Sequence, residues 1–145
     1  MLKRVVLIAC IVLVQFPSCS AQQQPTVPKK ELSLHDQVAL VRQAVIAQLH
    51  RAHRNERFTV EGTNPEGDPR FRTFQGLFLS RHYTSAVIGS YTVDQFTGDI
   101  WSQDTCEELD STAIRQLQKT IRAHLHVSSS EYTRMQRDRG PVPHC

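Results

Sequence analysis

The chain has 145 residues, of which 39% are hydrophobic and 21% are charged, and its formal net charge is +3. This composition is typical of one ordinary globular domain and excludes a disordered or fibrous chain. Nucleic-acid-binding domains usually carry a clustered basic face and a pI above about 9. The small, dispersed charge of this chain therefore argues against nucleic acid as a partner.

The N-terminus has the order of a secretory signal. Lys3 and Arg4 precede an unbroken apolar run, VVLIACIVLV at positions 5–14, and the segment ends in small residues, SCSA at positions 18–21. A membrane-spanning helix needs about 20 apolar residues, so this run is too short to be an anchor. We expect cleavage after Ala21. Residues 1–21 are then a signal peptide, and the mature protein is secreted or periplasmic.

Cys19 allows a second interpretation of the same segment. A bacterial lipoprotein is acylated on a cysteine that follows a small residue, here Ser18, although Phe16 and Pro17 fit the usual lipobox poorly. Under this alternative the protein is an envelope lipoprotein with a structural role, anchored by lipid to a bacterial membrane. A membrane is a partner of the chain only if Cys19 is lipidated.

Removal of the signal leaves two cysteines, Cys106 and Cys145. In an oxidising compartment such a pair is most simply a disulfide, and two free thiols are the alternative. The bond would close a loop of about 40 residues and contribute on the order of 4 kcal/mol to stability. It would tie the C-terminal tail, residues 139–145, back onto the domain.

The mature chain begins with a polar segment, residues 22–31, which contains two prolines and no apolar period and is expected to be a disordered spacer. A single domain follows over residues 32–138. Its first element is a helix from Leu34 to about Arg54, because apolar residues recur there at intervals of three and four. Ser33 and Asp36 form a capping-box pattern at its start.

Aromatic and β-branched residues then alternate with turn formers. They predict strands over residues 57–62, 71–82, 85–94 and 100–102, with Gly98 as the positive-φ residue of the last turn. The strands are expected to pair antiparallel.

Helical spacing returns at Leu109, Ile114, Leu117, Ile121 and Leu125. Asp110 and Ser111 are candidate N-caps of this second helix, and Thr105 and Glu108 form an alternative, earlier capping box. Residues 131–137 are expected to add one further turn of helix. The order of helix, three or four antiparallel strands and helix predicts a two-layer α+β domain.

Catalytic patterns are sparse. The sequence has no GxSxG elbow and no SxxK motif, so we expect neither an enzyme nor a cofactor. A metal-binding protein or metal-dependent enzyme is the alternative, because the mature chain contains seven histidines, of which His50 and His53 have an i, i+3 spacing. They are His35, His50, His53, His82, His124, His126 and His144.

The segment YTVDQFTGDIW, residues 91–101, resembles the Y-x-V-D-x-x-T-G-x-I/V hairpin of PepSY-type and related cystatin-like exported domains. The resemblance implies a helix packed on an antiparallel sheet and a module that binds or inhibits rather than catalyses. It covers a single unit of eleven residues, and the chain departs from the family in its C-terminal extension.

These observations predict a small exported binding or inhibitory module whose partner is an unidentified protein or an envelope component. The candidate contact residues are aromatic and basic side chains near the hairpin, because large aromatics and arginine dominate binding hot spots. They are Arg81, Tyr83, Tyr91, Phe96 and Trp101.

Overall fold

The computed structural model describes residues 30–54, 56–63, 68–79, 86–143 and 145. The predicted signal peptide, Cys19, most of the predicted spacer, Arg81, Tyr83, His82 and His144 lie outside the described residues.

The described residues form three helices and one four-stranded sheet. In chain order the elements are α1 (Leu34–Arg51), β1 (Phe58–Gly62), β2 (Phe71–Phe78), β3 (Val87–Asp94), β4 (Ile100–Ser102), α2 (Thr112–His124) and α3 (Ser129–Arg137). The strands are all antiparallel and lie side by side in the order β1-β2-β3-β4. The α+β fold expected from the sequence is thereby confirmed.

A side-chain cap begins α1, and backbone hydrogen bonds end it. The hydroxyl of Ser33 accepts the N–H of Asp36 at 3.1 Å and donates to the carboxylate of the same residue, which confirms the predicted cap. The helix ends at Arg51, three residues earlier than expected, because His53 adopts a φ of 53°. The N–H groups of His53 and Arg54 bond back to the carbonyls of His50 and Leu49, which is a Schellman ending.

One face of the sheet packs against α1 and α2. Its buried side chains include Phe74, Tyr91, Val93 and Ile100, which join Leu40, Val41, Val45, Ile114 and Ile121 in one hydrophobic cluster. The paired glycines Gly76 and Gly89 lie on the same face. A Cβ atom at Gly76 would stand 2.6 Å from Cγ2 of Val45. Because Gly76 has no side chain, α1 can approach the sheet this closely.

The opposite face is covered at one end by α3. Phe71 and Trp101 project to this side and meet edge to face, with ring centroids 6.2 Å apart. The guanidinium of Arg139 lies 4.5 Å from the Trp101 ring centroid, and Met135 is buried. The final turn expected over residues 131–137 is thus a complete helix, capped by Ser128, and it adds a partial third layer.

The start of α2 settles the choice between the two predicted caps. Ser111 is the N-cap, and its hydroxyl accepts the N–H of Ile114 at 3.3 Å. The earlier alternative is wrong, because Glu108 forms a β-bridge with Trp101 instead of opening a helix. Within the described part of the chain, none of the helices is both long and apolar enough to cross a membrane.

We expect Gly76→Ala to lower the free energy of unfolding by about 1–3 kcal/mol, because the added methyl group overpacks the contact with Val45. Thermal or urea unfolding measures the change. Gly62→Ala is the matched control in β1, since its Cβ would meet only Phe74 ring atoms at 3.6 and 3.7 Å. The cost of Gly76→Ala should shrink in the Val45→Ala background, and an unchanged cost there would contradict this account.

Candidate functional site

The hairpin singled out from the sequence is built around the turn between β3 and β4. One carboxylate oxygen of Asp94, Oδ1, accepts the N–H groups of Phe96 at 2.9 Å and Thr97 at 3.4 Å. Gly98 has the expected positive φ, 74°, and its N–H donates to the Asp94 carbonyl at 2.9 Å. The sequence DQFTG therefore closes its own turn through an aspartate side chain and a glycine.

The second oxygen of Asp94 faces a buried arginine. Oδ2 accepts from Nε of Arg70 at 2.9 Å and from Nη2 at 2.7 Å. Nη2 also donates to the carbonyl of Met135 at 2.7 Å, so Arg70 links the turn to α3. Asp94 is fully buried and Arg70 is 8% exposed, so this ion pair is shielded from water.

The second carboxylate of the turn, Asp99, is also fully buried and joins four side chains from α2, α3 and the tail. Its nearest partner is the hydroxyl of Tyr132, which donates to Oδ1 at 2.8 Å. Nη1 of Arg122 lies 3.5 Å from Oδ1, and Nη1 of Arg139 lies 3.6 Å from Oδ2. Nε2 of Gln136 lies 3.4 Å from Oδ2 and donates to Tyr132 as well.

Aromatic rings complete this cluster. The guanidinium of Arg122 lies 4.1 Å from the ring centroid of Tyr132, a cation–π distance. Burial, and after it the charge of Asp99, raises the pKa of Tyr132 to about 12. Tyr132 therefore keeps its proton at neutral pH and acts as a hydrogen-bond donor to Asp99.

The two carboxylates have a structural role. Each is enclosed by the chain and bonded to an arginine, so neither is placed to meet a substrate from solvent. Arg139 belongs to the tail that the sequence assigned to a disulfide tether, and its contacts with Asp99 and Trp101 hold that tail without a covalent bond.

The structure separates the predicted contact residues. Tyr91 is 1% exposed and Trp101 is 4% exposed, so neither presents the surface that a hot-spot residue needs. The hydroxyl of Tyr91 donates to Oε1 of Gln48 at 2.6 Å, and burial raises the pKa of Tyr91 to about 12. Phe96 is half-buried at the turn. Arg81 and Tyr83 lie outside the described residues.

The histidines do not converge in the described residues, where no three of the His, Cys, Asp and Glu side chains are grouped as metal ligands. His50 and His53 lie at the exposed end of α1, where His53 forms part of the Schellman ending.

Cys106 and Cys145 are both exposed, and the structure has no disulfide bond between them. The two side chains nevertheless meet. A hydrogen bond with Cys106, followed by burial, raises the pKa of Cys145 to about 11. The fold therefore brings together the two sulfurs that the sequence paired.

Among the described residues, α3 covers only one end of its face of the sheet, and a polar surface lies beside it. Thr59, Thr73, Gln75 and Ser90 are half-buried there, and Val87 at the start of β3 is 52% exposed. We call these five residues the open sheet surface. None of these five residues is among the predicted contact residues, although polar residues at alternate positions of β2, Thr73 and Gln75, are typical of a strand with one uncovered face.

Comparison with known proteins yields a fold but no family. No family model matches the chain, and no curated protein matches it. Among solved structures, a chain of the structure titled "Structure of a type VI secretion system effector-immunity complex from Pseudomonas protegens" is similar, with a TM-score of 0.54 and 20% sequence identity. The likeness covers 76% of this chain and 90% of that chain. At this identity it shows a shared fold.

We expect Asp99→Asn to destabilise the protein by about 3 kcal/mol, because it leaves Arg122 and Arg139 without their common counter-charge. Chemical denaturation measures the loss, and amide hydrogen exchange should show α3 opening before the sheet. Asp138→Asn is the control, because this exposed carboxylate at the end of α3 should change stability by less than about 0.5 kcal/mol. Equal effects of the two variants would contradict the role of Asp99.

Proposed function

We propose that this chain is a small exported module that binds and inhibits another protein. The observation that carries the proposal is the likeness to a chain from an effector-immunity complex, which extends over most of both chains. A protein in such a complex has a surface that holds a second protein. We extend that property, a specific interface with one protein partner, to the present chain.

The distribution of reactive side chains supports binding rather than catalysis. The buried charged side chains form ion pairs within the protein, as Asp94 does with Arg70. The hydroxyl groups of Tyr91 and Tyr132 donate hydrogen bonds to Gln48 and Asp99. The open sheet surface mixes polar residues with exposed apolar Val87, which is typical of interfaces between proteins that also exist apart. The proposed function involves no catalytic step and no cofactor.

The location of the function follows from the N-terminal segment. The order of basic, apolar and small residues supports export, so the partner is a protein or envelope component outside the cytoplasm. The lipid-anchored alternative at Cys19 has a separate test. Cys19→Ala would release the protein from the membrane fraction if this residue is acylated, and would leave its distribution unchanged if cleavage follows Ala21.

The test of function begins with recovery of the partner. The full chain, with its own N-terminus and a C-terminal affinity tag, is expressed in its native host. The captured protein is identified, purified separately and mixed again with the chain. We expect a stoichiometric complex in size-exclusion chromatography and loss of the partner's own activity or toxicity on binding. A partner that binds but stays fully active would contradict inhibition, and the absence of any reconstituted complex would contradict the proposed function.

A pair of matched variants locates the contact. Gln75→Arg places a long cation on the open sheet surface and should weaken reconstituted binding tenfold or more, about 1.4 kcal/mol. Gln116→Arg makes the same chemical change on the exposed side of α2 and should leave binding within about twofold, as expected for a surface position outside the interface. Isothermal titration calorimetry compares the two. Equal losses of affinity would exclude the open sheet surface as the contact.

We further propose that Cys106 and Cys145 form a disulfide in the exported protein, because their side chains already meet and the exterior compartment is oxidising. Without reductant, we expect a mass two hydrogens below that of the dithiol and no alkylation of either cysteine. Cys106→Ser should lower the melting temperature without reductant and leave it unchanged in its presence. Alkylation of both thiols in the untreated protein would contradict this proposal.

A further inference from the structure

Exposed arginines lie around one end of the sheet. Arg42 projects from α1, and Arg54 and Arg57 lie in the segment that joins α1 to β1. This end is opposite the β3–β4 turn, since it holds the start of β1 and the end of β2. We use the name arginine edge for Arg42, Arg54, Arg57, Phe58, Phe78 and Leu79.

Two of these arginines are held in place by aromatic rings. The guanidinium carbon of Arg42 lies 5.2 Å from the Phe58 ring centroid, and that of Arg54 lies 5.1 Å from the Phe78 ring centroid. Phe58 and Phe78 are directly opposite each other in the β1–β2 pairing, so the two stacks are neighbours. Stacked guanidinium groups lose less side-chain freedom on binding than unrestrained ones, which favours their use in recognition.

Apolar surface adjoins these cations. Leu79 is 54% exposed, and its N–H donates to the carbonyl of Arg57 at 2.9 Å, which places the two residues side by side. Val87, 52% exposed, pairs with Leu77 at the same end of the sheet and connects the arginine edge to the open sheet surface. Arginine is enriched in binding hot spots, and the exposed Leu79 adds apolar surface beside it.

The net charge near the arginine edge indicates the chemistry of the partner. Arg51 at the end of α1 is also exposed. Among the described residues near this end, four arginines stand against three acids, Glu56, Glu61 and Asp104, and the charges of Asp104 and Arg51 both act on Tyr91. Glu56 pairs with Arg54 at 3.3 Å, with side chains 54% and 46% exposed for Arg54 and Glu56 respectively. An ion pair so open to water stabilises little, and a partner's carboxylate can replace Glu56 beside Arg54.

We infer that the arginine edge binds an acidic, partly apolar surface of the protein partner. The inference rests on the proposed function and names the chemistry of the partner at that same interface. Carboxylates of the partner pair with Arg42, Arg54 and Arg57, and an apolar side chain of the partner packs on Leu79. Complementary charge of this kind steers association and fixes orientation.

The first test uses a defined probe. The mature protein, labelled with 15N, is titrated with a polyglutamate peptide at low salt, and backbone shifts are followed by nuclear magnetic resonance. We expect the shifted amides to cluster around Arg42, Arg54 and residues 57–58 and 78–79. Shifts centred on the exposed cations of α2, Arg115 and Lys119, would overturn the inference, as would the absence of any shift. Tighter binding of a DNA duplex at the same residues would assign the surface to nucleic acid and overturn it too.

The second test uses the partner recovered as described above. The double variant Arg42→Glu/Arg54→Glu should weaken binding at least tenfold and flatten its dependence on salt. Arg115→Glu/Lys119→Glu reverses the same number of exposed charges on α2 and should change the affinity by less than threefold.

A third variant separates binding from folding. Leu79→Asp alters an exposed side chain without touching either aromatic stack, and it should also weaken binding at least tenfold. Circular dichroism and melting temperature verify that each variant is folded. If the partner binds all of these variants as tightly as the original chain, the inference fails while the proposed function stands. If no partner binds the original chain, both fail.

Discussion

The turn between β3 and β4 is the point on which the rest of the fold depends. Its two aspartates are fully buried, and a buried carboxylate is tolerated only when charged or hydrogen-bonding groups surround it. Asp94 forms an ion pair with Arg70, just before β2, and Asp99 contacts side chains from α2, α3 and the tail. Nη2 of Arg70 also reaches the α3 backbone at Met135. One short turn thereby fixes the positions of elements that are distant in sequence.

The first described residues of the domain also contact this turn. The N–H of Leu32 donates to the Gln95 carbonyl at 2.7 Å, and Nε2 of Gln118 in α2 donates to the Gly98 carbonyl at 3.0 Å. Leu32 itself is buried against the core. Both ends of the domain and the middle of α2 therefore meet at this turn. None of the described residues at the opposite end of the sheet, where Arg54 and Leu79 lie, takes part in this network.

This division has a functional consequence. Side chains that are committed to internal ion pairs give the domain a fixed shape, and such rigidity lowers the cost of ordering when a partner binds. The residues at the other end, among them Arg57 and Leu79, remain exposed. Buried ion pairs at one end of the sheet and exposed arginine and apolar residues at the other support the proposed binding of another protein.

The sequence alone determined the elements, because their signals are local. Helical spacing, the Ser33 cap and the glycine of the last turn each depend on residues within a few positions of one another, and they predicted α1, the strands and α2 to within a few residues. It also marked the hairpin of residues 91–101 as important.

Only the tertiary structure decided what that hairpin does and which surface stays open. Tyr91 and Trp101 lie on opposite faces of the sheet, and both are buried because α1 packs on one face and α3 on the other. Alternation distinguishes a polar from an apolar face of a strand, but it does not predict that side chains on both faces will be covered. The partners of Asp99 come from residues 23 to 40 positions away, so no local pattern could identify them. The stacking of Arg54 on Phe78 likewise arises only when α1 is laid across the sheet.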